Sequence, residues 1–297
     1  MQTRPLPRSR IARALALLQL RDLRLSREAC SACGSRLQVR LSCADIAVRC
    51  VFCRASAVSQ SIVDVVRRRV ANLHCCDAYE LSDQGHLLRF LRKATRSVIG
   101  SELLDGVPCG SMRDGTTSQD IQRLTFGDDC FDLCTSTEVF EHVEDDIAGF
   151  RETYRVLRPR GHMIFTVPIS GDPETTERTT IIGGRRVNTL PAEFHHDRHH
   201  EAGVFCYRNY GRDIGDRLRG VGFINTEIVA PKLDLFGLAR HVVAAQKPWS
   251  SKPETGRGLS AAAQQMLQRA TANSIIAVGA GGISQWSISR NPNSTIR

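Results

Sequence analysis

The sequence has no apolar run long enough to cross a bilayer, and it has no internal repeat. The nearest thing to a targeting signal is the short apolar stretch 14–20. More arginine follows it, where a cleavage site would need small residues. We therefore expect a soluble, cytoplasmic protein with no membrane partner. Its 297 residues, 41% of them hydrophobic, suffice for one large or two modest domains with a substantial core.

The charge and cysteine content narrow the class of protein further. A net charge of +9 fits either a polyanionic partner or charges scattered over a solvated surface. Eleven cysteines in a chain without a secretory signal favour a reducing compartment, with thiols that bind metal or are buried. A disulfide scaffold is disfavoured. We expect residues 1–28, which are rich in arginine, to form a mobile basic segment.

Four cysteines have the spacing C-x2-C-x16-C-x2-C, and they are Cys30, Cys33, Cys50 and Cys53. Each two-residue gap can form a tight knuckle and the longer gap a hairpin, so four thiolates can meet tetrahedrally around zinc. Because cysteine fills every position, no site is left for water, and the metal should be structural. We expect a zinc-ribbon-like module over 29–55 with no ligand role for Cys43. Hydrophobic residues at helical spacing predict a connecting helix over 56–72.

A strand, a helix and a second strand follow one another between residues 131 and 167. A short apolar strand, 131–136, precedes the acidic stretch 138–142. Ile147, Phe150, Tyr154 and Leu157 then fall on one helical face, and Pro159 with Gly161 should end the helix. Such strands are parallel, and the ligands of parallel sheets bind at the carboxyl ends of the strands. The stretch 138–142 is predicted to lie there.

The run FDLCTSTEVFEHVEDDIAGFRETYRVLRPRGHMIFTVP resembles the fourth strand, fourth helix and fifth strand of class I S-adenosylmethionine-dependent methyltransferases. Its subgroup is typified by FDLVxxxEVxEHVxDxxxxLxExxRVLRPGG, and Arg160 stands where the family has a first glycine. The resemblance implies an α/β fold: a Rossmann-like sheet with helices on both faces, mostly parallel, with an antiparallel closing strand. It places the methyltransferase domain at 73–248, and we expect 249–297 to be a mobile tail.

The resemblance also implies which residues contact S-adenosylmethionine. The first strand would lead through Glu80 into a turn that is glycine-rich in most of the family, whereas here only Gly85 remains. Ser82 and backbone amides of this turn could still meet the cofactor's carboxylate. Glu102, at the end of the second strand, would accept the ribose hydroxyls. Asp120 and Ile121 would hold the adenine, and Thr137 completes the predicted contacts.

Candidate catalytic residues come from the acidic stretch and from a later segment. His142 and His195 are candidate bases for a hydroxyl or protonated amine acceptor, and Glu138 and Glu141 are predicted to line the pocket. His142 could instead be a structural histidine. Residues 191–201 resemble the family's PxEYHxD lid, and the match carries over onto Glu193, Phe194, His195 and Asp197. The histidines and acids of this segment could alternatively bind a metal.

Three functional hypotheses follow. The first is O- or N-methylation of a small-molecule or sugar acceptor. The second is methylation of an RNA base with a zinc ribbon that aids RNA binding, since a ribbon ahead of this same core occurs in ribosomal-RNA base methyltransferases. The third is a non-catalytic binding protein that retains the fold, because the glycine loop is degenerate.

Overall fold

The computed structural model describes residues 18–44, 47–195 and 203–249. In these ranges, none of the helices combines the length and the apolar character needed to cross a membrane. The predicted C-terminal tail, apart from Trp249, lies outside the described residues, as does most of the basic N-terminal segment.

The four-cysteine module is a three-stranded antiparallel sheet in the order β1-β2-β3. Its strands are β1 (Arg24–Ser26), β2 (Gln38–Arg40) and β3 (Val48–Cys50). Strand β1 pairs with β2 in register, with Leu25 opposite Val39. The sheet therefore begins inside residues 1–28, which the sequence predicted to be mobile. Strand β1 is ordered there because it forms backbone hydrogen bonds with the edge of β2 that β3 leaves unpaired.

Helix α1 (Ala57–Arg69) follows the module and covers one face of the central sheet. Ser56 caps it by accepting a hydrogen bond from the backbone N–H of Ser59 at 3.1 Å. Ile62 and Val66 are fully buried on its inner face. The segment predicted only to connect two domains is thus a layer of the larger one.

A buried pair of amides fixes the module to α1. Nε2 of Gln38 donates to Oε1 of Gln60 at 2.9 Å, and Nε2 of Gln60 donates back to Oε1 of Gln38 at 3.0 Å. Both side chains are completely buried. The Glu28 carboxylate accepts from the backbone N–H groups of Asp234 and Leu235, which belong to the larger domain.

The next elements form the predicted succession of strands and helices, except that a short hairpin over 112–117 lies in a stretch predicted to be a loop. They are β4 (Asp77–Glu80), α2 (His86–Ala94), β5 (Ser97–Gly100), β6 (Met112–Arg113), β7 (Thr116–Thr117), β8 (Phe131–Thr137), α3 (Asp146–Val156) and β9 (Leu157–Thr166). Asp145 caps α3 by accepting from Ala148 N–H at 3.0 Å, and Phe150 is buried on its inner face.

One boundary differs from its prediction. Leu157, which the sequence placed on the apolar face of the helix, is the first residue of β9 and pairs with Phe131. Pro159 has no N–H and disfavours helical backbone at the residue before it, so the helix ends earlier than the periodicity alone suggests.

The insertion after β9 contains three antiparallel strand pairs, and an α-helix and two longer strands close the domain. The short strands are β10 (Thr176–Glu177), β11 (Thr179–Ile182), β12 (Arg185–Asn188), β13 (Phe194–His195), β14 (Val204–Phe205) and β15 (Arg208–Asn209), paired as β10–β15, β11–β12 and β13–β14. The closing elements are α4 (Ile214–Val221), β16 (Ile224–Val229) and β17 (Val242–Gln246). Gly222, with φ +117°, ends α4 in the left-handed conformation expected of a glycine stop.

The central sheet has six strands in the order β16-β17-β9-β8-β4-β5. Strands β5, β4, β8 and β9 are parallel, whereas β17 is antiparallel to both β9 and β16. Apolar side chains of α1 and α2 pack in one cluster, and those of α3 and α4 pack in another. The predicted Rossmann-like sheet with an antiparallel closing strand is confirmed.

Candidate functional site

A cleft of about 200 Å³ lies at the carboxyl ends of β4 and β8. The residues lining it include Tyr79, Glu102, Asp120, Ile121, Glu138 and His142. A larger cavity, of about 710 Å³, lies at the amino ends of the same strands beside Cys76 and Pro159. Open α/β sheets bind their ligands at the carboxyl ends, so the smaller cleft is the candidate site.

Three of the predicted cofactor contacts line this cleft. Glu102 is half-buried, and its Oε1 accepts from the Ser82 hydroxyl at 2.9 Å and from the backbone N–H of Asp83 at 3.3 Å. Asp120 is also half-buried, and its Oδ1 accepts from the backbone N–H of Gln122 at 2.9 Å. Ile121 is 9% exposed. Two carboxylates and an apolar side chain are therefore held together at the strand ends.

The other predicted cofactor residues support the cleft from outside its lining. Ser82 bonds to Glu102, and Thr137 ends β8 opposite Thr166. Gly85 begins α2 with φ +104°, a conformation that favours glycine.

Gly100 on β5 supplies room for the turn that follows β4. A Cβ at Gly100 would lie 2.6 Å from the Ser82 carbonyl oxygen and 3.3 Å from the Asp83 Cα. Because glycine occupies this position, the 82–83 backbone approaches the neighbouring strand closely. No motif marks this residue in the sequence, where its only signal is a glycine inside a strand.

Glu80 is directed into the protein interior, not into the cleft. It is 1% exposed, and the Thr135 hydroxyl on the neighbouring strand donates to its Oε2. Burial raises the pKa of Glu80 to about 8; the Thr135 hydrogen bond opposes the shift, and the nearby Glu102 charge adds to it. Glu80 therefore holds a proton near neutral pH and ties β4 to β8.

His142 and His195, predicted separately as bases, are in contact. Nδ1 of His142 lies 2.9 Å from the Phe205 carbonyl oxygen, and its Nε2 lies 3.2 Å from Nδ1 of His195. Nε2 of His195 lies 3.1 Å from a carboxylate oxygen of Glu193, whose other oxygen pairs with Arg178 at 2.9 Å. The lid motif thus brings its histidine against His142, which lines the cleft, and its glutamate against that histidine, while its Asp197 lies outside the described residues.

Glu141 is buried beneath the cleft, whereas Glu138 lines it as predicted. Glu141 is 1% exposed, and neither of its carboxylate oxygens has a hydrogen-bond partner in the described part of the chain. Its Oε1 lies 3.7 Å from Nε2 of His142. Burial, reinforced by the Glu138 charge, raises the pKa of Glu141 to about 8. The prediction that Glu141 lines the pocket is corrected, because the 3₁₀ turn Phe140–His142 directs it inward.

Arg208, which sequence reasoning missed, anchors this turn. It is 3% exposed, and its guanidinium donates to the carbonyl oxygens of Phe140 at 3.0 Å and Glu144 at 2.8 Å. The backbone N–H of Tyr207 also donates to the Glu141 carbonyl at 2.8 Å. The insertion therefore fixes the position of Glu141 and His142.

The four predicted cysteine ligands converge. Sγ of Cys30 lies 3.6 Å from that of Cys53, and Sγ of Cys33 lies 3.7 Å from that of Cys50. Sulfurs held tetrahedrally at roughly 2.3 Å from zinc stand about 3.8 Å apart, so the set fits the ion. The two knuckles are alike, because Gly34 and Arg54 both have positive φ and donate to the carbonyls of Cys30 and Cys50.

Comparison with known proteins agrees with this architecture. Residues 84–165 match the family model described as "Methyltransferase domain". Residues 84–165 therefore resemble a methyltransferase domain, in agreement with the Rossmann-like fold that the motifs predicted. No curated protein matches the chain significantly.

Several of the solved structures that match part of this chain are methyltransferases. An S-adenosylmethionine-dependent methyltransferase from Mesorhizobium loti is 21% identical over 63% of this chain and 98% of its own, with a TM-score of 0.42. The 1,6-didemethyltoxoflavin-N1-methyltransferase of Burkholderia thailandensis, solved with its substrate and S-adenosylhomocysteine, is 14% identical over 65% of this chain and 78% of its own, with a TM-score of 0.43.

Proposed function

We propose that this chain is an S-adenosylmethionine-dependent methyltransferase that transfers a methyl group to an oxygen or nitrogen of a small-molecule or sugar acceptor. The observation that carries the proposal is that Glu102, Asp120 and Ile121 line the same cleft as Glu138 and His142. Groups suited to a nucleoside and groups suited to an acceptor therefore share one space at the strand ends.

The residues present fit the cofactor. Glu102 would accept hydrogen bonds from the ribose hydroxyls, and Asp120 would accept one from the exocyclic amine of the adenine. Ile121 would cover the adenine ring. When bound, S-adenosylmethionine supplies an electrophilic methyl group. The hydrogen bonds from Ser82 and Asp83 hold the Glu102 carboxylate in place, which reduces the entropy lost on binding. The approach of this turn to Gly100 replaces the usual glycine-rich loop as the source of space.

The contribution of the chain to catalysis would be mainly alignment. Well-oriented reactants reach effective molarities of roughly 10⁵–10⁸ M, so positioning alone supplies a large rate factor. An acceptor that must lose a proton would meet the imidazole pair of His142 and His195. The Phe205 carbonyl fixes the His142 tautomer, which leaves Nε2 as its basic atom.

The four-cysteine module would bind one structural zinc ion, since its sulfurs are spaced for tetrahedral coordination and no cysteine of the chain is in a disulfide. The free thiols also suit the reducing cytoplasm.

Methylation of an RNA base is the second candidate, and one observation favours it. Exposed arginines, including Arg24, Arg36 and Arg54, lie on the zinc module, which is fixed to the domain that holds the cleft. RNA binding that falls steeply with salt would support this candidate. Binding with no salt dependence would favour the small acceptor.

Calorimetric titration with S-adenosylmethionine tests the proposal. Charge-assisted hydrogen bonds contribute about 1.5–3 kcal/mol each, so Glu102→Ala and Asp120→Ala should each weaken binding roughly 10- to 100-fold. Asp216→Asn, at an exposed carboxylate on α4, is the control and should bind like the unmodified chain. A chain without detectable binding would support the non-catalytic scaffold, and full binding by both alanine variants would refute the cofactor placement.

A further inference from the structure

Three potential metal ligands meet beside the cleft: the Glu141 carboxylate, Nε2 of His142 and Nδ1 of His195. Their ligand atoms all lie within 4.8 Å of one another, with Glu141 Oε1 3.7 Å from His142 Nε2 and the two ring nitrogens 3.2 Å apart. Ligands at roughly 2.1 Å from one ion stand about 3.0–3.4 Å apart at octahedral or tetrahedral angles. The spacing of the two ring nitrogens therefore matches a shared ion, and the Glu141 oxygen would have to move a few tenths of an ångström closer to join them.

Each imidazole has an inner nitrogen, which faces the other ring, and an outer nitrogen, which faces away from it. The hydrogen bonds of the outer nitrogens, Nδ1 of His142 and Nε2 of His195, fix how the two rings face each other. A carbonyl oxygen only accepts, so the contact with Phe205 places the proton of a neutral His142 on Nδ1. The Glu193 carboxylate likewise places the proton of a neutral His195 on Nε2. The inner nitrogens then direct lone pairs at each other across 3.2 Å, which is unfavourable without a cation or a proton between them.

Glu141 gives an independent observation. Its carboxylate is 1% exposed, and both oxygens lack hydrogen-bond partners among the described residues. A buried carboxylate is costly unless its charge is compensated, and the charges of Arg208 and Arg240 compensate that of Glu141 only in part; such groups in proteins are usually paired or bind a metal. A divalent cation beside Nε2 of His142 would supply that compensation.

The surroundings of the two histidines are those of metal ligands. Ligating histidines almost always donate the second ring N–H to a backbone carbonyl or a carboxylate, which orients the ring and makes the ligating nitrogen more basic. His142 has the carbonyl partner, and His195 has the carboxylate partner, which Arg178 holds in turn.

We propose that Glu141, His142 and His195 bind a divalent transition-metal ion, at a site separate from the four cysteines. Two imidazoles and a carboxylate suit ions such as Zn²⁺, Fe²⁺ or Mn²⁺ and leave coordination positions for an outside ligand. His142 lines the cleft, so that ligand reaches the ion from the acceptor side.

This site changes the role of the two histidines in the proposed function. The ion would lower the pKa of an acceptor hydroxyl bound to it, so that the hydroxyl would release its proton to solvent water without an imidazole base, and a hydroxyl acceptor would be favoured. This consequence depends on the proposed function, whereas the metal site itself does not.

Manganese titration of the full chain, with the cysteine module loaded with zinc, tests the site. Thiolates prefer softer ions, so Mn²⁺ should report on the nitrogen and oxygen ligands. Disappearance of the free Mn²⁺ electron paramagnetic resonance signal measures binding, and we expect one ion per chain. Glu141→Gln preserves side-chain shape, and His195→Ala removes one ligand; each should weaken binding at least 10-fold. His162→Gln, at an imidazole on β9, is the matched control and should bind normally.

Thermal unfolding keeps the test decisive if a variant folds poorly. Excess Mn²⁺ should raise the Tm of the unmodified chain and of His162→Gln, but not that of Glu141→Gln. The site would be overturned if the unmodified chain bound neither Mn²⁺ nor a second Zn²⁺ ion beyond the one in the cysteine module, or if both ligand variants bound as well as the unmodified chain. Titration of the same preparations with S-adenosylmethionine separates the two proposals. Binding of the ion without binding of the cofactor would support the metal site and refute the proposed function. Binding of the cofactor without binding of the ion would refute the metal site alone.

Discussion

Replacing Glu80 by glutamine should remove a specific pH dependence of stability. Glu80 is fully buried, and its pKa rises from 4.5 to about 8 on folding. Between these values the folded chain holds a proton that the unfolded chain has lost. The free energy of unfolding should therefore fall as the pH rises from 4.5 to about 8, by up to about 1.4 kcal/mol per pH unit. Below and above this window, Glu80 should contribute no pH dependence.

The assay is urea unfolding of the unmodified chain and of Glu80→Gln at several pH values from 5 to 8. Every other titrating group is common to both chains, so the difference between their unfolding free energies isolates Glu80. Glutamine can still accept the Thr135 hydrogen bond, and any cost of its buried N–H groups is the same at every pH. The free energy of unfolding of the variant, relative to that of the unmodified chain, should increase by about 1.4 kcal/mol for each unit of increasing pH.

Glu227→Gln, at a carboxylate whose side chain is 40% exposed, shows what the same substitution does at the surface. A difference between the unmodified chain and Glu80→Gln that does not change with pH would mean that Glu80 stays ionised in the folded chain. The link between burial and a raised pKa would then fail at this position.

Two further predictions concern glycine and zinc. Gly100→Ala places a Cβ 2.6 Å from the Ser82 carbonyl, so denaturant unfolding should show a loss of about 1–3 kcal/mol and calorimetry a weaker binding of S-adenosylmethionine. Gly220→Ala, which meets nothing within 4 Å on α4, should leave both measurements intact or stabilise the chain slightly, and an equal loss there would remove the steric argument. Cys50→Ser should abolish bound zinc in elemental analysis and lower the Tm, whereas Cys43→Ser should do neither. Full zinc content in the first variant would exclude the cysteines as its ligands.

Local patterns predicted most of the sheet and its helices. The unit around β8, α3 and β9 follows from a short apolar strand, an apolar helical face and a helix stop, all of which act over a few residues. The same reasoning put Leu157 in the helix, because periodicity does not register the steric effect of Pro159 on the residues before it. The parallel order of the strands then follows from crossover connections.

The candidate site was predicted residue by residue but not as an arrangement. Glu102, Asp120 and His142 were placed correctly at the cleft because each follows the end of a strand or lies in a motif. The contact between His142 and His195 joins positions 53 residues apart, and Arg208 reaches the turn from 65 or more residues away. The burial of Glu141 and the close approach at Gly100 likewise depend on tertiary packing, which sequence spacing does not encode.

The paired amides of Gln38 and Gln60 couple the stability of the large domain to that of the small module, and so to the proposed zinc ion. If a chelator unfolds the module, Gln60 remains on α1 but loses both hydrogen bonds to Gln38. Its buried amide group then lacks these partners in an apolar layer. Helix α1, which carries Gln60, covers one face of the central sheet together with α2, so the damage would extend beyond the cysteines. Removing the metal should therefore promote aggregation of the entire chain, and supplying zinc during expression should improve its yield.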